Sequence, residues 1–406
     1  MRKIVIYIVF ALATIGLKGQ SLEGYLQEAE LNSPMIQALE LRYNIAKEKV
    51  NEVNTLPNTT IGAGYFVSEP ETRTGAQRAR FSVSQMLPWF GTITARENYA
   101  SSMADTEYAE IVIAKRKLTL SVAQSYYKLF GIKAKQKVLE ENIKLLKTYE
   151  TLALTSVEVG KASAVDVLKL QIRQNELQQQ HEVFEESYLA EQAVFNNLLN
   201  RGESIAVVVV DEMDIPEDDP VLDKQDLRLN PELLKYDQLY ESVMQSELLN
   251  QKENAPSFGI GLDYIPVSER DNMVFSDNGK DIVMPMVTFS IPIFNNKFKS
   301  VTKQNELRQK EIELQKEERL NVLENTFANA ISQRNQARIA HQTQEKNLKQ
   351  AKDAEEILLK NYETGTIDFN DVLDIQELQL KFQTNQIQSV QLYYLQSAII
   401  NYLINK

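Results

Sequence analysis

Apolar side chains follow two rhythms along this chain. Through two long stretches they recur at alternating steps of four and three residues. Through four short ones they take every second position. The first long stretch puts Leu118, Val122, Ser125, Leu129, Ile132, Gln136, Leu139, Ile143, Leu146, Glu150, Ala153 and Val157 on one seam, and nine of these twelve are apolar. A seam of that period predicts an α-helix packed in coiled-coil fashion. Shifting every position by 205 gives Leu323, Phe327, Ala330, Arg334, Ala337, His341, Gln344, Leu348, Ala351, Glu355, Leu358 and Tyr362, of which eight are apolar or aromatic. A second helix is predicted after each seam. Its stripe is Leu170, Leu177, Phe184, Tyr188, Phe195 and Leu198 in the first case, and Ile375, Phe382, Tyr393, Ile400 and Leu403 in the second. The helix expected from about Thr92 to Val157 would be about 100 Å long at 1.5 Å per residue. That length suits a strut or tunnel better than a compact core.

The period-two runs come in pairs. Phe258, Ile260, Leu262 and Tyr264 alternate with Ser257, Gly259, Gly261 and Asp263. Val283, Val287, Phe289, Ile291 and Ile293 alternate with Met284, Met286, Thr288 and Ser290. Earlier, Thr59, Ile61, Ala63, Tyr65 and Val67 form one run, and Phe81, Val83 and Leu87 alternate with Arg80, Ser82 and Ser84. Each run is about 10 residues, the span of a tilted transmembrane strand with one apolar and one polar face. The polar connections, about Ser68–Gln77 and Ser268–Lys280, read as external loops. A soluble sheet with one wet face shows the same alternation. The long helical arms on either side favour the membrane reading, because a sheet between them would bury little. Four strands cannot close a barrel, and an open edge in lipid leaves backbone groups unpaired at several kcal/mol each. Copies must therefore pool their strands. Two would give eight and a filled barrel, three would give twelve and an open lumen, and a duct needs the latter.

Helix breakers divide the chain the same way. All eleven prolines lie between Pro34 and Pro292, and none lies between Pro88 and Pro216. Between Gly91 and Gly202 the only glycines are Gly131 and Gly160, and after Pro292 there is only Gly365. Such stretches, rich in Gln, Glu, Lys, Leu and Ala, read as long helices. They are also copies. At an offset of 205, Gly160-Lys-Ala-Ser-Ala-Val-Asp-Val-Leu-Lys-Leu-Gln171 aligns with Gly365-Thr-Ile-Asp-Phe-Asn-Asp-Val-Leu-Asp-Ile-Gln376. Asn32-Ser33-Pro34 opens a helical stretch reaching Leu56-Pro57, and Asn230-Pro231 opens another reaching Ala255-Pro256. Two repeats are expected, 21–204 and 227–406. The first carries a helix, a β-hairpin at about 57–88 and a long helical hairpin with its tip near 160–166. The second carries a helix, a β-hairpin at about 256–293 and a helical hairpin with its tip near 365–374. Glycine supplies the backbone freedom each reversal needs. Between the repeats lies an acidic linker, 205–226. The stretch 203–226 has nine acids against one Lys, and Ile205-Ala-Val-Val-Val-Val210 within it is predicted as a strand. The linker reads as a solvated surface element.

Composition narrows the function. Arg2 and Lys3 precede an apolar run from Ile4 to Leu17, followed by Gly19-Gln20. Residues 1–20 therefore read as a secretory signal peptide. Its removal would take away three cations and no acid, leaving about −15 from a formal −12. Such an acidic chain is ill suited to nucleic acid. It has no cysteine, so disulfides, thiolate metal sites and a lipidated N-terminal Cys are excluded. No nucleophile motif, phosphate loop or metal-ligand cluster occurs, so no enzyme, cofactor or metal site is expected. His181 and His341 sit on helical stripes and read as packed histidines.

These residues together resemble the TolC family of outer-membrane efflux proteins. The second tip, Asn361-Tyr362-Glu-Thr-Gly365-Thr366-Ile-Asp-Phe-Asn-Asp371-Val-Leu-Asp374, is close to the family's pattern of Tyr, Gly-Thr, then Asp-Val-Leu-Asp. Ser84-Gln-Met-Leu-Pro-Trp-Phe-Gly91 looks like its barrel-to-helix junction. The resemblance covers essentially everything after residue 20. It implies a mainly α fold with transmembrane β: a homotrimer whose twelve-stranded outer-membrane β-barrel, four strands per chain, continues as a helical coiled-coil tunnel in the periplasm. It implies a periplasmic adaptor (a membrane fusion protein) and an inner-membrane pump of the RND type as partners. Asp371 and Asp374 match acids that line the family's periplasmic pore constriction. Their i, i+3 spacing puts both on one helix face, and rings of acids favour cations. Gly160, Asp166, Tyr362, Gly365 and Thr366 match positions of tip closure and adaptor contact, Tyr362 and Asp166 by a contact that holds the tip closed. Two departures stand out. Ile367 replaces a basic residue that forms a salt bridge in the best-known pattern, so closure would rest more on packing. Lys169 stands in the first tip where the second has Asp374. A type I protein-secretion channel shares this architecture. A periplasmic coiled-coil scaffold or adaptor is a rival, although adaptors carry one helical hairpin rather than two.

Overall fold

The stretches without breakers fold as the longest helices. The computed structural model describes residues 21–160, 163–271, 274–364, 366–367 and 369–404. The expected leader lies outside them. The chain runs through α1 (Leu22–Asn32), α2 (Pro34–Val53), β1 (Thr60–Tyr65), a small hairpin β2–β3 (Glu71–Thr72 and Gly75–Ala76), β4 (Ala79–Leu87), α3 (Thr92–Glu158) and α4 (Ala164–Leu198). After a short 3-10 turn (Lys224–Leu229) come α5 (Pro231–Glu253), β5 (Ser257–Ile265), β6 (Ile282–Ser290), α6 (Lys297–Glu363) and α7 (Phe369–Ile404). Helices α3 and α6 have 67 residues each. Pro34 and Pro231 open α2 and α5, where a missing N–H costs nothing.

The chain divides into two compact units, which α2, α3 and α6 each traverse. One comprises Ala38–Ile111 and Pro231–Arg319 and holds a four-stranded antiparallel sheet in the order β1-β4-β5-β6. The register puts Ile61 opposite Val83, Val83 opposite Leu262, and Leu262 opposite Pro285. One face is thus a continuous apolar band. It is bare: Ile61 is 77% exposed, Val287 66% and Phe289 70%. The other face carries Ser82, Ser84, Gly259, Gly261, Asp263 and Thr288. There Asp263, fully buried, pairs with Arg80. β1 has six residues where a run of nine was expected, yet pairing continues past it, the Phe66 N–H donating to the Arg78 carbonyl at 3.0 Å. Pro285 lies in the edge strand β6, where its missing donor does least harm. The two loops brace one another: Arg270 pairs with Glu71 at 2.8 Å, and the Gly279 N–H donates to the Thr74 carbonyl at 2.7 Å. At the strand-to-helix junction Gly91 has φ +80, which a residue with a Cβ adopts only under strain. Below the sheet, Glu247 accepts from Thr302 at 2.8 Å and from the buried Asn305 at 2.9 Å, tying α5 to α6.

The other unit comprises residues 21–37, Val112–Asn230 and Leu320–Ile404 of the described chain. The predicted seams are its interior. Leu129, Leu139, Leu146 and Ala153 of α3 and Leu323, Phe327, Ala337 and Ala351 of α6 are buried. One core surrounds Tyr25, whose ring meets Phe195 edge-on at 5.0 Å. A second lies near the helix reversals. The linker differs from expectation twice. Its valine run forms no strand. It is extended, with Val207 and Val209 buried, and tyrosine hydroxyls take the place of a neighbouring strand. Tyr25 Oη accepts from the Val208 N–H at 2.9 Å, Tyr126 Oη accepts from the Val210 N–H at 3.2 Å, and Tyr188 donates to the Val207 carbonyl at 3.0 Å. Nor is the acidic run merely solvated. Asp219 accepts from Tyr393 at 2.6 Å and from Arg338 at 2.7 Å.

Candidate functional site

The first helix reversal is made by Gly160 and a capping box. Gly160 has φ +72, and its N–H closes the α3 end onto the Val157 carbonyl at 3.0 Å. Ser163 caps α4, its Oγ accepting from the Val165 N–H at 3.2 Å, while the Asp166 carboxylate accepts from the Ser163 N–H at 3.3 Å. Asp166 is buried in that role. The Ser-x-x-Asp spacing of Ser163 and Asp166 is the signal in the sequence that announces such a cap. Lys161 and Ala162 lie outside the described residues.

In the second reversal Gly365 and Asp368 also lie outside them, so the turn expected at Gly365 is not described. Thr366 donates to the Asn361 carbonyl through both its N–H, at 3.0 Å, and its hydroxyl, at 2.8 Å. Tyr362 is buried against Phe369, ring centroids 4.8 Å apart, and Phe369 meets Tyr149 at 5.9 Å. Phe369 is fully buried, and Ile367 packs on the same cluster. This apolar cluster surrounds Ile367, the position where a basic residue was absent from the expected pattern. Asp371 and Asp374 are both exposed on α7, and Asp371 sits in its first turn, where the helix dipole favours an acid.

A carboxylate clamps each helical hairpin just behind its tip. Glu150 of α3 accepts from Gln171 at 2.7 Å and Gln174 at 3.0 Å on α4. Exactly 205 residues on, Glu355 of α6 accepts from Gln376 and, at 2.8 Å, from Gln379 on α7. The two glutamine bonds hold the Glu150 carboxyl below its usual range. Glu355 also accepts from the Tyr149 hydroxyl. Burial, and then this bond, push the Tyr149 phenol up. With Arg334, these glutamates are the charged residues of the predicted seams, and their polar character at apolar positions is the signal that marks them. Between the hairpins, Lys169 donates to Asn370 Oδ1 at 2.6 Å, and Arg173 lies 3.8 Å from Glu377. Lys169 and Asp374 line the same cleft. His181 lies 3.1 Å from Glu140, and His341 lies 3.4 Å from Gln386. No group of residues suited to a metal ion occurs among the described residues.

Strand pairs that lead into long helical hairpins, in the same order in both halves of the chain, invite comparison with known proteins. Residues 25–201 match the family model described as outer membrane efflux protein. Over that stretch the chain is similar to this family. The match ends with the first repeat, but the fold likeness runs through both. The outer membrane protein VceC from Vibrio cholerae superposes with a TM-score of 0.73 at 16% identity, covering 94% of this chain and 95% of that one. CusC gives 0.76 at 13% identity, covering 95% and 92%. The MtrE outer membrane channel of Neisseria gonorrhoeae, in its open state, gives 0.73 at 15%, covering 95% and 89%. No curated protein matches the sequence. The fold is that of these outer-membrane channels.

Proposed function

We propose that this chain is the outer-membrane exit duct of a tripartite export system, with three copies joining their sheets into one twelve-stranded barrel. The open sheet carries the proposal. Among the described residues β1 and β6 each pair on one side only, and the apolar face between them is exposed. Every neighbouring pair is antiparallel, so β6 runs opposite to β1. The β6 of one copy can therefore pair antiparallel with the β1 of the next. Closing the ring satisfies both edges, which lipid otherwise makes costly by several kcal/mol per backbone group. The polar face then lines the lumen and the apolar band meets lipid.

The helical hairpins form the periplasmic part, and the tips receive an adaptor that links the duct to an inner-membrane pump of the RND type. Asp371 and Asp374 line the mouth. Gly160, Asp166, Tyr362, Gly365 and Thr366 shape its closure and the adaptor contact. Conduction is passive and needs no catalytic group.

The test is the assembly itself. The full chain, purified in detergent, is expected to have a mass of three copies by light scattering and to conduct ions across a planar bilayer. A monomer that stays in solution without detergent would sink the proposal.

A further inference from the structure

A cleft of about 740 Å³ opens among α1, α3, α6, α7 and the acidic linker, away from the helix tips. We infer that it binds a small amphipathic carboxylate, whose charged end is held by Arg334 and whose apolar body lies against tyrosine rings. This inference does not rest on the export reading. The volume is within the range of small-molecule sites.

Arg334 carries the argument. It occupies a seam position where the heptad calls for an apolar side chain, and it is only 5% exposed. Its Nη2 lies 3.3 Å from Asp219, but its Nε has no hydrogen-bond partner among the described residues. Asp219 is already engaged by Tyr393 and Arg338, so one carboxylate faces two guanidinium groups. A buried donor on a charged group is costly to leave unbonded. Arg334 lines the cleft, so an acceptor bound there can satisfy it.

The rest of the lining narrows the ligand. The rings of Tyr127 and Tyr394 lie 5.2 Å apart and offer flat apolar surface. Burial pushes the Tyr127 phenol up to about 12, so it stays neutral. Arg116 adds a second cation, and donates to the Asn401 carbonyl at 3.1 Å. Glu23 and Glu30 also line the cleft, and Glu23 is exposed. They disfavour a ligand with negative charge at both ends. The fitting class is one carboxylate on a compact aromatic or alicyclic body.

The test uses the full chain in amphipol, which avoids detergent in the cleft. Calorimetry compares 2-naphthoate with its neutral amide. The acid is expected to bind about tenfold more tightly, the scale of a charge-assisted bond. Arg334→Gln should bring the two probes to equal affinity. Ala398→Trp, which fills the cleft and leaves the charges intact, should abolish binding of both while the oligomer survives. Equal affinities in the natural chain, no binding at all (a site filled by water alone), or binding unaffected by Ala398→Trp would each overturn the inference.

Discussion

The two helical tips solve one problem with unequal closure. Glu150 holds Gln171 and Gln174, both from the helix that follows in its own repeat. Glu355 holds the equivalent Gln376 and Gln379 and gains Tyr149 from the other repeat. Burial follows the same division. Gln376 and Gln379 are each 5% exposed, whereas Gln171 is exposed and Gln174 half-buried. The same pair of bonds occurs at both tips, 205 residues apart, and one added phenol ties the second to the other half of the chain. The charges differ too, with Lys169 in the first tip standing against Asp374 in the second.

Removing the joint is expected to have the largest effect. Glu355→Ala would strand the buried amides of Gln376 and Gln379, at about 3 kcal/mol in all. Amide exchange in the second tip should then speed up more than a hundredfold. Glu150→Ala, whose glutamines can turn to water, should cost about 1 kcal/mol. Equal losses would erase the distinction between the tips. A moderate effect is expected from the charges: Asp371→Asn with Asp374→Asn should lower potassium-over-chloride selectivity in bilayers by roughly threefold. Unchanged selectivity would remove these acids from the mouth.

The smallest effect concerns pH. The Glu150 carboxyl is depressed below 4.5 in the folded chain by its glutamine donors. Its contribution is therefore complete above pH 4.5 and is lost as pH falls through the depressed value. Exchange protection of the first tip should decline over that acid window, and Glu150→Gln should flatten the profile. A profile unmoved by Glu150→Gln would assign the acid sensitivity elsewhere.

Much of this architecture could be read from periodicity. A heptad seam reports its own burial, so Leu129, Leu146, Leu323 and Ala351 could be assigned to the interior without coordinates. Alternation likewise exposed the two faces of the sheet. The linker could not be read this way. Val207 and Val209 have the pattern of a strand, but a strand needs a partner strand, and here Tyr25, Tyr126 and Tyr188 provide the hydrogen bonds from distant positions. The role of Asp219 was hidden for a similar reason, because Arg334 and Arg338 lie more than a hundred residues away. At the tips, the Asp and Tyr positions were visible as motifs. Phe369 was not singled out, and neither were the clamping glutamates, although the 205-residue offset that aligns Gln171 with Gln376 also aligns Glu150 with Glu355.

The tyrosines that hold the valine run have a further effect on how chains recognise one another. A naked extended segment of valines is a template on which a foreign strand can grow. With phenols seated on the main chain at Val207, Val208 and Val210, that template is withdrawn. Among the described residues the unpaired strand margins are then those of the sheet, at β1 and β6.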